Sequence, residues 1–388
     1  MPTDSFIYLE IAKTLTYTAL SFLFAIWWAP ALIKLLTWLK FWKKNARTTD
    51  SSGQEYVVMK QFYEENEKKR LVPRAGGILI WITALVFAVF FWILLKIEPE
   101  NKTFQFLNFV SRAQTFIPIG TLFFASVLGF IDDALVTLET GGNYHGGGLK
   151  LTQRAVVVSM IGFLIGFWFH FRNDFLHIIR LPWLDKSGNW FDLDLKPLSP
   201  AIDLSFLFNG FSIPAGWLII PITIIVVVSL WGGTIIDGFD GLAVGVFIPM
   251  YLVFAGLAFA QGAYDIATFL MVLTGAMAAY MWYNLPPAKF YMGDTGSTGL
   301  LITLAVVAII LDKIYILPIA GFIVYATVAS DIIQIFSKKV FKKKVFLAAP
   351  LHHHFEAIGF SRHAVTVAYW IISIVCSALA FALGLIVG

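Results

Sequence analysis

Two adjacent carboxylates, Asp132 and Asp133, end an otherwise apolar stretch of the chain. Charged side chains beside a long apolar segment are costly to bury and are therefore usually functional. Neighbouring residues of a helix project in different directions, so we expect the two carboxylates to have different roles. One could face a metal ion or a phosphate, and the other could act as a base or pair with a lysine. A solvated helix end without chemistry is the alternative interpretation.

A second acidic motif, DGFDG, contains Asp237 and Asp240 between glycines. Glycine allows a sharp turn of the backbone, and such a turn exposes N–H groups beside the two carboxylates. This arrangement could bind the polar head of a ligand. Asp-Gly pairs are equally common in tight turns without a function, so the sequence leaves both interpretations open.

Asn284 and Asp294 lie on either side of the segment LPPAKFYMG. The two prolines end one apolar run, and Asp294 opens the next, where an aspartate is a good N-cap. A carboxylate in this place also suits Mg²⁺, which prefers one or two carboxylates together with substrate phosphates. The chain has 1 cysteine, Cys376, and its candidate ligands are oxygen atoms, so the sequence favours Mg²⁺ or Mn²⁺ over zinc.

Three consecutive histidines, His352, His353 and His354, follow a lysine-rich stretch. Histidine exchanges protons near neutral pH, so the stretch predicts the handling of a phosphate or a proton. A histidine metal site is one alternative, although adjacent histidines do not lie one helical turn apart on the same face. Solvated histidines without a function are the other alternative.

Arg74, Gly76 and Gly77 belong to the segment RLVPRAGG, which precedes an apolar run. Its glycines and basic side chains could cradle a phosphate in a nest of backbone N–H groups. A basic anchor at the membrane surface is an equally good interpretation of the same residues.

The composition that must position these residues is typical of an integral membrane protein. The chain has 388 residues, of which 59% are hydrophobic and 13% are charged, whereas about a quarter of a soluble domain is charged. A helix needs about 20 apolar residues to cross a bilayer. Solid apolar runs, without the alternation of a barrel, predict an all-α bundle of about ten transmembrane helices in a single polytopic domain, residues 1–388. The predicted spans are 14–33, 75–95, 113–131, 155–169, 211–236, 242–263, 266–287, 295–311, 314–330 and 364–388.

Lysine and arginine are concentrated in the first and the ninth connection between these spans. The positive-inside rule places both connections in the cytoplasm and both termini outside. All the acidic, histidine and asparagine motifs fall in odd-numbered connections or at their edges, so we predict that they share the cytoplasmic face. The long external connection, 172–214, contains the alternating segment WFDLDLKPL, which predicts a small hairpin.

In this order, the motifs resemble those of the polyprenyl-phosphate N-acetylhexosamine-1-phosphate transferase superfamily. They are most similar to its phospho-N-acetylmuramoyl-pentapeptide transferase family, over nearly the whole chain. The most specific segments are GFIDD, DGFDGLA, YMGDTGS and PLHHHFE. The resemblance implies these roles: a catalytic pair (Asp132, Asp133), a Mg²⁺ ligand (Asp294), a catalytic histidine motif (His352, His353, His354) and substrate contacts (Asn284, Asp240, Gly76, Gly77). Arg74 and Asp237 are further candidate substrate contacts, on the basis of the residues alone.

The resemblance further implies a reaction at the inner membrane of a bacterium. UDP-N-acetylmuramoyl-pentapeptide would donate its phospho-sugar to undecaprenyl phosphate, giving lipid I and UMP in peptidoglycan synthesis. Asp132 is the favoured base for the lipid phosphate. The implied surroundings are the lipid bilayer and no nucleic acid, and a homodimer stays open.

Three other functions compete with this interpretation. The sister branch of the superfamily transfers N-acetylglucosamine 1-phosphate, and the segment PRAGG is closer to that branch. A transporter is a different class, but its polar site would lie near the midplane of the bilayer rather than at the ends of spans. An inactive binding homologue is disfavoured because all the acidic motif positions are filled.

Overall fold

The computed structural model describes residues 4–42, 71–111, 114–140, 148–178, 201–203, 212–214 and 216–387. Three short 3-10 helices in this part span Gly216–Leu218, Gly232–Ile236 and Ile314–Ile316. The other elements, in chain order, are α1 (Asp4–Trp38), α2 (Ile78–Ile97), α3 (Lys102–Leu107), α4 (Phe116–Thr137), α5 (Leu151–Ile178), β1 (Ala201–Asp203), β2 (Ser212–Pro214), α6 (Ile219–Trp231), α7 (Leu242–Ala260), α8 (Tyr264–Asn284), α9 (Gly293–Ile310), α10 (Leu317–Ala320), α11 (Phe322–Val340), α12 (Leu351–Ala357) and α13 (Arg362–Ile386).

Within the described ranges, 9 helices are long and apolar enough to cross a membrane. The number is 10 when the bent pair Ile314–Ala320 and Phe322–Val340 forms one span. This confirms the predicted all-α membrane architecture with about ten spans. The side of the membrane on which each end and each terminus lies stays a prediction.

The long connection between α5 and α6 contains a short hairpin. Strands β1 and β2 pair antiparallel, with Ile202 opposite Ile213. The alternating segment WFDLDLKPL, on which the hairpin prediction depended, lies outside the described residues, as do the basic residues between 43 and 70.

Helix α9 lies at the centre of the bundle. The protein buries 89% of its most apolar window, compared with 72% for α8 and 67% for α7. The corresponding value is only 28% for α1 and α13 and 22% for α5, so these helices form the lipid-facing periphery. A site at the start of α9 can therefore be shielded from water by the surrounding helices.

Glycines bring α2 and α4 close to α9. A Cβ on Gly129 of α4 would overlap the carbonyl group of Asp294, and one on Gly299 would overlap Ser126 Oγ. Gly77 and Gly296 lie against each other in the same way. Helices in a membrane pack through such small residues because lipid tails are as apolar as side chains.

Two predicted boundaries differ from the structure. Helix α4 continues past Asp132 and Asp133 to Thr137, whose hydroxyl donates to the backbone oxygen of Asp133 at 2.8 Å. The carboxylates did not end the helix because protein groups neutralise them there. The three histidines lie on the short helix α12, which follows Pro350, rather than on a loop.

The ninth predicted span is broken. Its two parts, Ile314–Ala320 and Phe322–Val340, meet at Gly321 with a bend of 79°. Beyond the bend, α11 buries Thr327, Ser330 and Gln334 on one face. It exposes Ile332, Ile335 and Phe336 on another face.

Candidate active site

Asp133 is the most deeply buried carboxylate of an acidic cluster at the start of α9 and is 0% exposed. Arg74 Nε lies 3.3 Å from its Oδ1, and Thr295 N donates to its Oδ2 at 3.0 Å. A buried charge without such partners would be strongly destabilising. The two contacts fix the segment before α2 and the first turn of α9 on helix α4.

Asp132 and Asp294 share one cation. Arg154 Nη1 lies 3.3 Å from Oδ2 of Asp132 and 2.9 Å from Oδ2 of Asp294. Leu149 N donates to the other oxygen of Asp132 at 2.7 Å. Carboxylates from α4 and α9 thus converge on a positive charge supplied by α5.

Asp237 binds the start of α9 from the DGFDG turn. Gly293 N donates to its Oδ2 at 3.0 Å. Gly293 has a φ of 71°, and a Cβ at this position would overlap the carboxylate of Asp133, so only glycine fits. Burial raises the pKa of Asp237 to about 6, and the guanidinium group of Arg74 and the N–H of Gly293 limit the increase.

The segment before α2 runs beside the segment before α9. Tyr291 N donates to Pro73 O at 2.8 Å, Gly76 N to Tyr291 O at 2.7 Å, and Gly77 N to Met292 O at 2.9 Å. The N–H groups of Gly76 and Gly77 are therefore used within the protein. These glycines allow two backbones to approach closely, and a phosphate cradle of N–H groups does not form there.

Asn284 connects the DGFDG turn with the segment before α9. Gly241 N donates to Asn284 Oδ1 at 2.9 Å, and Asn284 Nδ2 donates to Phe290 O at 2.8 Å. In the same region, Ala288 N donates to Asp240 Oδ2 at 3.0 Å. Asn284 is buried, and both ends of its amide have backbone partners, so it braces the turn. The predicted substrate contacts of Asn284 and Asp240 stay predictions.

The three histidines have three different environments. His352 is 1% exposed, its ring lies against Gly238, and its ring centroid is 5.0 Å from that of Phe239. Burial lowers the pKa of His352 well below its usual value, so its imidazole is neutral. His354 lies further from the turn, and its Nδ1 accepts from Leu347 N at 3.3 Å.

His353 belongs to a chain of polar contacts that ends on the DGFDG turn. Its Nδ1 lies 3.0 Å from Glu356 Oε2, and Arg362 Nε donates to Glu356 Oε1 at 2.8 Å. Partial burial opposes ionisation of Glu356, but the two hydrogen bonds more than offset it and lower its pKa. The ionised carboxylate can only accept, so Nδ1 of His353 is the donor. The guanidinium group of Arg362 lies 4.8 Å from the ring centre of Phe239.

The structure therefore brings the predicted motifs together at one end of the bundle. The segment before α2 contacts α4, α4 contacts the start of α9, and the DGFDG turn contacts both α9 and α12. The residues joined by these contacts are Arg74, Asp132, Asp133, Asp237, Gly238, Asp294 and His352.

The acidic cluster fits a divalent cation in charge and in donor chemistry. Four carboxylates, including Asp294, surround the start of α9 and face two guanidinium groups, Arg74 and Arg154. The excess of negative charge matches one divalent ion, and carboxylate oxygens are the ligands that Mg²⁺ prefers. No three acidic, histidine or cysteine side chains in the described part are placed to hold an ion together. Mg²⁺ commonly needs only one or two carboxylates, with substrate phosphates completing its shell.

Sequence reasoning missed Arg154 and gave no role to Glu356 or Arg362. Arg154 is a cation at the beginning of an apolar run, where a charge is expensive and hence functional. This position could have identified Arg154 as a candidate site residue from the sequence. The spacing of Glu356 three residues after His353 could have suggested their pairing once the stretch was known to be helical.

Known proteins are similar to this chain over most of its length. A family model described as Glycosyl transferase family 4 matches residues 115–312, which contain all four carboxylates of the cluster. A Phospho-N-acetylmuramoyl-pentapeptide-transferase of Methylacidiphilum infernorum is 31% identical over 339 residues, which cover 83% of this chain and 82% of the relative. Proteins of the same name from Geobacillus sp. (strain WCH70) and Wolbachia pipientis wMel are 30% and 31% identical over 365 residues. These matches cover 93% and 92% of this chain and 94% of each relative.

Proposed function

Because the chain belongs to the phospho-N-acetylmuramoyl-pentapeptide-transferase family, within glycosyl transferase family 4, we propose that it catalyses the step for which these relatives are named. The donor is UDP-N-acetylmuramoyl-pentapeptide and the acceptor is undecaprenyl phosphate. The products are lipid I, a precursor of peptidoglycan, and UMP. The protein lies in the inner membrane of a bacterium, with its acidic cluster facing the cytoplasm.

The single observation that supports this proposal most is the convergence of four carboxylates on the first turn of α9. Asp133 and Asp237 accept hydrogen bonds from backbone N–H groups of that turn, while Asp132 and Asp294 share Arg154. Transfer of a phosphoryl group needs little covalent chemistry from a protein. It needs positioning and the neutralisation of charge.

The contacts divide the four carboxylates into two groups. Asp133 has 0% of its side chain exposed, and Asp237 holds the start of α9, so these two residues position the site. Asp294 has 20% of its side chain exposed and is the carboxylate that a substrate can approach. Asp132 lies beside it and accepts the proton of the lipid phosphate. Asp294 would hold Mg²⁺, whose chemistry is to neutralise the charge of the donor diphosphate.

The cations and imidazoles have the complementary role. Arg74 and Arg154 carry positive charge within the cluster, where it offsets the negative charge of the phosphates. Glu356 orients the ring of His353 at the same end of the molecule. These groups hold the diphosphate and the sugar in line with the acceptor.

The direct test is an assay of the purified protein with both substrates in detergent or in nanodiscs. We expect Mg²⁺-dependent release of UMP together with lipid I, and no product in the presence of EDTA. Release of UMP without any ion gradient would exclude a transporter. Transport of a substrate without formation of lipid I would contradict the proposal.

The sister reaction is a second candidate, because the PRAGG segment resembles that branch. In the structure, Arg74 of this segment contacts Asp133 and lies within the cluster. The two candidates differ only in the donor. Equal amounts of UDP-N-acetylmuramoyl-pentapeptide and UDP-N-acetylglucosamine should therefore be offered to the same preparation, and we expect product only from the former.

A further inference from the structure

The chain between α11 and α12 carries an exposed surface that the proposed reaction does not use. We call residues 336–347 the basic projection. Lysine occupies positions 338, 339, 342, 343 and 344. Large apolar residues lie among the lysines: Phe336, Phe341, Val345 and Leu347.

The basic projection has a defined shape. Gln334 Oε1 accepts from Val345 N and Phe346 N, both at 3.1 Å, and its Nε2 donates to Phe346 O at 2.8 Å. Ser337 Oγ donates to Lys343 O at 2.9 Å. Gln334 and Ser337 are both buried. The chain is thus folded back on the end of α11, and the lysines are presented from a fixed backbone.

The same segment exposes apolar area that water would not favour. Phe341 is 63% exposed, Leu347 61%, Phe336 58% and Val345 56%. The lysines at positions 339, 342, 343 and 344 are exposed as well. Exposed large apolar side chains are less favourable in water than in an apolar environment. The surface therefore suits a boundary between lipid and water better than bulk solvent.

We propose that the basic projection binds the phosphate groups of anionic phospholipids in the leaflet that borders the active site. Its apolar side chains insert among the acyl chains, and its lysines lie at the level of the headgroups. The occupant follows from chain continuity, because the preceding helix exposes Ile332 and Ile335 to lipid and the lysines begin within one turn of its end. Clusters of lysine immediately beside a lipid-embedded helix attract anionic headgroups.

This contact would fix the position of the histidine helix. Leu347 N donates to His354 Nδ1 at 3.3 Å, and the rings of Phe346 and His354 lie 5.4 Å apart. The basic projection and α12 therefore share a boundary. A projection held at the headgroup level holds α12 at a defined height beside the DGFDG turn.

The test counts lipids bound to the purified full-length protein by native mass spectrometry. Phosphatidylglycerol is titrated into the detergent solution, and phosphatidylcholine is titrated as the uncharged reference. In the test variant, Lys339, Lys343 and Lys344 are changed to Gln, whereas Lys342 is kept because its φ is 55°. The matched control changes the same three residues to Arg, which preserves their charge.

We expect the Gln variant to bind phosphatidylglycerol on the order of 100-fold more weakly, because each lysine near an anionic surface contributes about fivefold. The Arg variant should bind like the unchanged protein, and phosphatidylcholine should bind all three equally. Equal titrations of the Gln variant and the unchanged protein with phosphatidylglycerol would overturn the proposal.

A second titration separates phospholipid from the lipid phosphate of the proposed reaction. Saturating undecaprenyl phosphate should leave the binding of phosphatidylglycerol at the basic projection unchanged. If it displaces the phospholipid from the unchanged protein and not from the Gln variant, the basic projection is a substrate site and the inference is wrong. The measurement needs no catalysis, so it is independent of the proposed function.

Discussion

Arg154 is the side chain that joins the two carboxylates nearest to the chemistry. It reaches Asp132 on one helix and Asp294 on another with a single nitrogen. The cation reduces the repulsion between these carboxylates, which would otherwise oppose the packing of α4 against α9. At the residue scale, the positive charges of Arg74 and Arg154 stabilise the acidic cluster.

The role of Asp294 gives the first prediction. Changing Asp294→Asn removes a negative charge but keeps the volume, so we expect turnover to fall at least about 1000-fold while the protein stays folded. UMP release measures the first effect, and the melting temperature in detergent measures the second. Asp4→Asn, the same change at the distant start of α1, is the matched control. Activity within threefold of the unchanged protein would remove Asp294 from the metal site.

The buried imidazole of His352 gives a prediction about pH. Its pKa in the folded protein is well below the usual value, so the unfolded chain binds a proton below about pH 6.5 that the folded chain does not. The contribution of neutral His352 to the free energy of unfolding is therefore fully present above about pH 6.5 and is lost as the pH falls below this value. From pH 7.5 to 5.5 the loss is on the order of 1 kcal/mol.

The variant His352→Gln cannot take up this proton. Its free energy of unfolding should decrease less over the same pH range than that of the unchanged protein, by on the order of 1 kcal/mol. Unfolding in detergent at several pH values measures the difference. Parallel pH dependences of the two proteins would show that His352 is not held neutral by burial.

At the scale of elements, the contact between α4 and α9 sets the geometry of the site. Gly129 lies against the backbone of Asp294 and Thr295, one turn of helix before Asp132 and Asp133. A side chain at this position would separate the two helices and move carboxylates whose partners lie across the contact. The catalytic arrangement thus depends on the absence of a side chain at a residue that has no chemistry of its own.

The change Gly129→Ala tests this dependence. We expect the protein to lose at least about tenfold in turnover and about 1–3 kcal/mol in stability, because the new methyl group overlaps backbone atoms that cannot rotate away. The control is Gly120→Ala on the same helix, where a Cβ has no heavy atom within 4 Å. Rates of lipid I formation and unfolding in detergent are compared for both variants. Equal behaviour of the two alanine variants would contradict the packing argument.

The elements were more predictable than their details. Long apolar runs require helices in a bilayer, so the spans near α7, α8 and α9 could be predicted from composition alone. The break at Gly321 could not, because the residues on both sides are apolar and continue the run without a change in pattern. The continuation of α4 past Asp133 was missed because it depends on Arg74, which is distant in sequence.

In the candidate site, too, the motifs could be predicted from the sequence but the contacts between them could not. The acidic motifs were visible because carboxylates are rare in a chain with 13% charged residues. Their pairing was not visible, since Arg154 meets Asp294 across 140 positions of the chain. Local sequence carries no information about such a contact, which exists only after the helices have assembled.

At the scale of the whole molecule, a second polar cluster lies at the opposite end of α8 from Asn284. Lys13 Nζ is 2.7 Å from Glu10 Oε2, and both side chains are buried. Lys13 also donates to Phe106 O at 3.2 Å, and Thr14 bonds to Thr268 of α8 at 3.1 Å. These contacts connect α1 and α8 with the segment that contains α3.

We expect Lys13→Met to destabilise the protein by about 3–5 kcal/mol, because it leaves Glu10 charged and buried without its partner. Adding Glu10→Gln to this variant should restore much of the loss, since the buried charge of Glu10 is then removed as well. Melting temperatures of the two single variants and the double variant form the cycle. Additive losses in the double variant would show that the pair does not interact. The specific activity of the folded fraction should stay unchanged.

The spread of the acidic residues along the chain has a practical consequence. Asp133 and Thr295, which are hydrogen-bonded in the site, are separated by 162 positions. No proteolytic fragment that ends between α5 and α6 contains both of them. Two such fragments, each inactive alone, should regain turnover when they are inserted together into one bilayer. The increase of turnover with time would then measure how fast the helices associate within the membrane.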